Sequence, residues 1–225
     1  MTLRTNARIA GLTLLVYIAA GITSMIIFGP ATSGETITAK LSSMAGHQTT
    51  VSINILLNLI MSLSALTLGA TLWALTREQD PHLAMLGMSC RFVEGVLGAS
   101  SISGLLTLNW LATATGPTVP DAASASALGA YLLRNDVALS ATFFAVGSTI
   151  FSFLLLRGRL IPNILAWIGV VASVILIVAL PLQLAGWLKG MILNLIWIPM
   201  LLFEIPLGLW FIFKGVNTPP VERSA

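Results

Sequence analysis

Six stretches of this chain are apolar almost without interruption: Ile9 to Phe28, Val51 to Leu75, Leu83 to Leu111, Val137 to Leu156, Ile164 to Leu184 and Met191 to Phe213. An α-helix rises 1.5 Å per residue, so about 20 such residues cross the roughly 30 Å of bilayer hydrocarbon. Each stretch is that long. Backbone polar groups in lipid must be satisfied within the span, which leaves the helix as the structure for runs of this kind. Composition agrees, with 56% hydrophobic and 8% charged residues in 225, against about 25% charged in a soluble domain. The fold class is therefore all-α, a polytopic bundle of six transmembrane helices. Arg4 and Arg8 precede the first run as they would in a secretory signal, but its apolar core exceeds the roughly 7–15 residues of such a segment. It reads as a permanent helix.

Loops rich in Lys and Arg tend to stay in the cytoplasm. Arg4, Arg8, Arg77, Arg157, Arg159, Lys214 and Arg223 fall on one side of the membrane, and Lys40, Arg134 and Lys189 on the other. Both termini are thus expected to be cytoplasmic. The net charge of +3 reflects this bias, and no basic patch with interleaved aromatics points to nucleic acid. Cys90 is the sole cysteine, so no internal disulfide can form. His47 and His82 stand near opposite ends of spans without partners at ligand spacing, which argues against a metal. Phosphate-loop, HExxH and GxSxG motifs are absent, and no cofactor is expected.

The inner connections TREQDPH (76–82) and RGRLIPN (157–163) are short, and Pro162 suits a helix start. The outer ones are longer. Ile37, Leu41 and Met44 at i, i+4, i+7 predict a short amphipathic helix at the outer interface. Asp121 is placed to cap a helix leading into the fourth span. Together these suggest an outer lid over one domain, residues 1–216, and the polar stretch 217–225 is expected to be a disordered tail.

In lipid every helix face is apolar, so polar and small residues mark the inside. Gly87, Arg91, Glu94, Gly98, Ser101 and Leu105 share one face of the third span. The second carries Asn54, Asn58, Ser62, Ala65 and Gly69, and the sixth Asn194, Trp197, Leu201, Glu204 and Gly208. The fourth adds Arg134, Asp136 and Ser140, whereas the fifth offers only Ser173 and a backbone break at Pro181, and is expected to face lipid. Counting from the span ends places Arg91 and Glu204 at the same depth, about 12 Å from the cytoplasm. An Arg91–Glu204 ion pair joining spans three and six follows as an expectation. One guanidinium beside two carboxyls favours one of them, Glu94, keeping its proton. Pro206 predicts a kink beside Glu204, with Pro199 a second break. Glu94-Gly-Val-Leu97-Gly98 and Glu204-Ile-Pro-Leu207-Gly208 also share E-x-x-L-G, a weak echo of the inverted repeats of transporters.

Three function classes fit these residues. The first is binding, extending to transport, of a small molecule or lipid at a site built from Asn54, Asn58, Ser62, Arg91, Glu94, Ser101, Asp136, Ser140 and Glu204. The second is an intramembrane enzyme acting on a lipid or isoprenoid, with Glu94 or Glu204 as catalytic proton donor. The third is a non-catalytic partner subunit, in which the charges are an ion-pair network fixing helix register. Membrane lipids are expected partners in each case, and a bundle of this size could form a homodimer.

The segments RIAGLTLLVYIAAG (8–21), LLLRGRLIPNILAWIGVV (154–171) and LLFEIPLGLWFIFKG (201–215) resemble a bacterial family of multi-pass membrane proteins known as domain of unknown function 4386. Arg91, Glu94 and Glu204 look like the family's charged residues in the third and last spans. The resemblance implies a helical bundle in the bacterial inner membrane and brings no established reaction.

Overall fold

A computed structural model describes residues 1–117, 119–134 and 137–217. The helices among them are α1 (Leu3–Ala31), α2 (Ile37–Gly46), α3 (Gln48–Thr76), α4 (Pro81–Thr113), α5 (Ala122–Leu133), α6 (Ala138–Arg157), α7 (Asn163–Leu184), α8 (Ile192–Leu195) and α9 (Ile198–Phe213). Six segments are long and apolar enough to cross a membrane: α1, α3, α4, α5 with α6, α7, and α8 with α9. The chain is a multi-pass membrane protein.

Helix starts follow local chemistry. Thr2, Thr36, Asp80 and Asp121 each accept a first-turn backbone N–H with the side chain, satisfying a donor that has no partner inside the helix. The Asp121 cap and the helix at Ile37 match the sequence reading. Pro162 immediately precedes α7, also as expected. Pro181 differs, because α7 continues through it to Leu184. It sits in the last turn, where few following residues depend on the hydrogen bond it removes.

Consecutive spans pack side by side in chain order, α1 on α3, α3 on α4, α4 on α6, α6 on α7 and α7 on α9, and α9 returns to α1. The result is a closed ring of six helices. The fifth span is a full member of it: Ala166, Gly169, Ala172 and Ser173 of α7 are buried, while Ile164, Trp167, Val171 and Val178 face outward. The seam between first and last spans is tight. A Cβ on Gly11 would come within 2.5 Å of the Gly208 carbonyl oxygen, so the two backbones touch as small-residue helix contacts in membranes do. Arg4 and Gly215 adjoin at one end, where the Asn217 N–H also donates to the Leu160 carbonyl. Both ends of the described chain therefore lie on the same side, here called the terminal side.

At the opposite end α4, about 50 Å long, outruns the bilayer core, and α2 and α5 pack on it. Leu41, Met44, Val51, Leu105, Leu108 and Leu111 form a buried apolar cluster there. This end, here called the lid side, carries the predicted amphipathic helix, which buries Leu41 and Met44 against protein and not at a membrane interface. The sixth span breaks between α8 and α9, just before Pro199. That break shifts the register of the helix. Asn194 and Leu201, assigned to the inner face on a straight helix, are exposed. The buried side of α9 is Met200, Phe203, Glu204, Leu207, Gly208 and Phe211.

Candidate functional site

Arg91 is the bulkiest of the fully buried side chains, only 2% exposed, and sits inside the ring with Glu94 at 4% and Glu204 at 7%. An unpaired charge in the middle of a span costs about 2.5–3.5 kcal/mol on insertion scales. The chain meets that cost within one helical turn. Arg91 Nη1 lies 3.0 Å from Glu94 Oε2, the i, i+3 spacing that brings side chains together on a helix. The expected Arg91–Glu204 pair does not form, and Arg91 has no ion-pair contact with Glu204. Matching depths put the two level, but Glu94, the carboxyl expected to keep its proton, is the nearer partner on Arg91's own helix and is the one that pairs with the cation.

Two neighbouring helices complete the surroundings. Tyr17 of α1 donates its hydroxyl proton to Glu94 Oε1 at 2.8 Å. Ser140 of α6 donates to the Glu94 backbone carbonyl at 3.1 Å. The guanidinium lies over two rings, 4.9 Å from the centre of Phe144 and 5.5 Å from that of Tyr17, distances at which the ring face attracts a cation. Phe144 in turn packs against Trp197, with ring centres 5.9 Å apart.

The guanidinium is nonetheless incompletely used. Arg91 Nε and Nη2 make no hydrogen bond to the described residues, and Glu94 Oε2 meets Arg91 at ion-pair distance without hydrogen-bond alignment. Nε and Nη2 form one edge of the planar group, the edge that can grip two oxygens at once. Arg91 and Glu204 line the same cavity, of about 30 Å³, joined by Ser148 and Ser152 of α6 and walled by Leu and Phe side chains of α1, α3, α6 and α9. A water needs about 10–15 Å³ by this kind of measure, so the space suits one or two small polar groups.

The cavity has a direction. Leu72, Leu155 and Phe211 in its wall lie within a turn or so of the terminal-side ends of α3, α6 and α9. Tyr17, Glu94 and Ser140 lie on the lid side of Arg91. A bonded polar layer thus closes the lid side, and the apolar part of the lining lies toward the terminal side, where Leu155 and Phe211 are fully buried.

The other predicted residues fall elsewhere. Asn54 and Asn58 bind α3 to α1: Ser24 donates to Asn54 Oδ1, and Asn58 Nδ2 donates to the Asn54 carbonyl at 2.8 Å. Ser62 donates to the Asn58 carbonyl at 3.0 Å, and Ser101 to the Gly98 carbonyl at 2.7 Å. None of these four lines the cavity. Asp136 lies outside the described residues, as do positions 218–225 of the expected tail.

Sequence reasoning missed Tyr17 and Phe144. Tyr17 had a signal, being one of only two tyrosines and carrying a hydroxyl that needs a partner when buried. Phe144 had none, as one of nine phenylalanines in apolar surroundings. Among the described residues no three His, Cys, Asp or Glu side chains converge as a metal site would require.

A family model described as a domain of unknown function (DUF4386) matches residues 9–215. No curated protein and no solved structure matches the chain. The match takes in all six spans and every residue of the Arg91 centre, and the chain belongs to the DUF4386 family.

Proposed function

We propose that this protein binds a small molecule or lipid through a polar group seated at Arg91, Glu94 and Glu204, and that transport across the membrane is the process such binding serves. The observation that carries this reading is a fully buried arginine that lines a cavity and has two guanidinium nitrogens without a hydrogen bond to the described residues. A purely structural ion pair gains from having every donor met, since an unmet buried donor costs about 1–3 kcal/mol or more. A donor pair kept free beside a cavity instead gives a ligand something to bind. Lys and Arg bias places the terminal side in the cytoplasm, and we assign the protein to the bacterial inner membrane on that basis and on its family resemblance.

A specific feature also supports an intramembrane acid catalyst: Glu204 presents a carboxyl to a mainly apolar cavity. This reading ranks second because Glu204 is the one carboxyl among the described residues that line the cavity, with no second acid or base beside it to complete a proton transfer.

The test is native mass spectrometry and solvent extraction of protein purified in lipid nanodiscs. Wild type is expected to retain one molecule beyond bulk lipid, and Arg91→Lys and Glu94→Gln to lose it. Wild type that carries none, and gains no thermal stability from any added lipid extract, would overturn the reading.

A further inference from the structure

We infer that the terminal-side end of the seam between α1 and α9 binds the head of an anionic phospholipid, with Arg4 and Arg8 on its phosphate, apart from the Arg91 centre. Arg4, Arg8, Gly11 and Leu15 follow one another on α1 by steps of four, three and four, which sets them on one stripe of a helix. That stripe faces α9. A Cβ on Gly11 would press on the Gly208 carbonyl and on the side chains of Phe211 and Ile212, one on Gly208 would press on Leu15, and one on Gly215 would stand 4.0 Å from Arg4 Cγ. Both arginines are exposed. This end of the seam therefore presents two cations at the surface of the bundle.

Charge selects the head. Elsewhere on the terminal side two cations are engaged within the protein: Arg157 Nη1 lies 3.5 Å from Asp80 Oδ2, and the Arg77 guanidinium lies 5.0 Å from the centre of the Trp73 ring. Arg4 and Arg8 have no carboxylate within ion-pair reach among the described residues. Two neighbouring guanidinium groups offer paired N–H donors to phosphate oxygens. A zwitterionic head brings a cation of its own, which they repel. Depth and walls select a lipid over a free anion. The apolar run of α1 begins at Ile9, so Arg8 stands where hydrocarbon gives way to headgroups, the level at which basic sites between transmembrane helices hold anionic lipid heads. Toward the lid side from there, Leu12 and Val16 of α1 and Ile205 and Leu209 of α9 are exposed. They give the acyl chains an apolar wall on either helix.

The experiment is native mass spectrometry of the full chain in detergent micelles titrated with phosphatidylglycerol, and separately with phosphatidylcholine carrying the same acyl chains. A first phosphatidylglycerol is expected to bind more tightly than those that follow and more tightly than phosphatidylcholine. The double variant Arg4→Gln, Arg8→Gln should weaken that first event about thirtyfold, the effect of two basic residues near a membrane surface. Arg157→Gln, which removes a cation already paired with Asp80, should weaken it far less. Arg91→Lys should leave it unchanged, so a failure at the seam is told apart from a failure at the central site. Equal affinity for phosphatidylcholine, or no distinct first event, would overturn the assignment. So would equal weakening by Arg157→Gln and the double variant, which would reduce the effect to the general positive charge of the terminal side. Displacement by an equal concentration of inorganic phosphate would make the site one for a free anion and overturn the lipid.

Discussion

Two polar groups of residues lie inside this bundle, and they differ in how far the protein satisfies them. Along α1 and α3, Ser24, Asn54, Asn58 and Ser62 hydrogen-bond to one another and to backbone carbonyls. Around Arg91 the bonding stops short, with two guanidinium nitrogens unmet and a carboxyl across a cavity. Both groups looked alike as polar residues in apolar spans. Polarity in a membrane helix is thus a poor guide to binding until the donors and acceptors have been matched. The first group joins helices, and the second has capacity to spare.

Four measurements break or sharpen that contrast. The largest effect is expected for Arg91→Leu, which leaves Glu94 buried without its cation. Such a loss costs about 3–5 kcal/mol, whereas replacing both partners by apolar residues is often nearly neutral. Reversible unfolding in mixed micelles should show the double variant Arg91→Leu, Glu94→Leu recovering most of the loss. No recovery would mean that Arg91 is held by something other than Glu94. Next is Tyr17→Phe, which removes a hydrogen bond to a charged acceptor, worth about 1.5–3 kcal/mol. The same unfolding measurement reads it, and a change below a few tenths would detach Tyr17 from the centre.

A smaller effect is expected in the satisfied group. Interhelical hydrogen bonds in membrane proteins average about 0.6 kcal/mol. A double-mutant cycle of Ser24→Ala and Asn54→Ala should return a coupling of that order, and ligand retention should not change. Loss of the retained molecule in Asn54→Ala would erase the distinction drawn here.

The smallest effect lies outside both groups. N–H donors from Leu83 and then His82 hold the Asp80 carboxyl below its usual range. A group whose folded value is depressed contributes stability above its unfolded value, near 3.9, and loses it as pH falls through the folded one. Wild type should therefore lose a little stability below about pH 4 that Asp80→Asn does not. Thermal melts of the two proteins from pH 6 to pH 3 would show it, and parallel curves would exclude the cap as a titrating group.

The six spans were legible because about 20 consecutive apolar residues have few other uses. Arg91, Glu94 and Glu204 were legible because charge is costly where they stand. What the sequence concealed was partnership. Matching depths made Glu204 the expected partner of Arg91, yet Glu94 stands one turn away and needs no second helix to be positioned. The break before Pro199 moved Asn194 and Leu201 off the face that a straight helix would give them. Phe144 could not be singled out, since stacking on a guanidinium leaves no mark on the hydropathy of the ring's neighbours.

The order of the ring bears on how the molecule is made. Helices enter the membrane in the order of synthesis, so α1, α3 and α4 can bring Tyr17, Arg91 and Glu94 together while the ribosome is still at work. Glu204 arrives with the final helix, which must settle between α7 and α1 with the Gly11 and Gly208 backbones in contact. The unfinished protein thus has its cation neutralised from an early stage, and the chamber beside it acquires its last wall only when translation is nearly over.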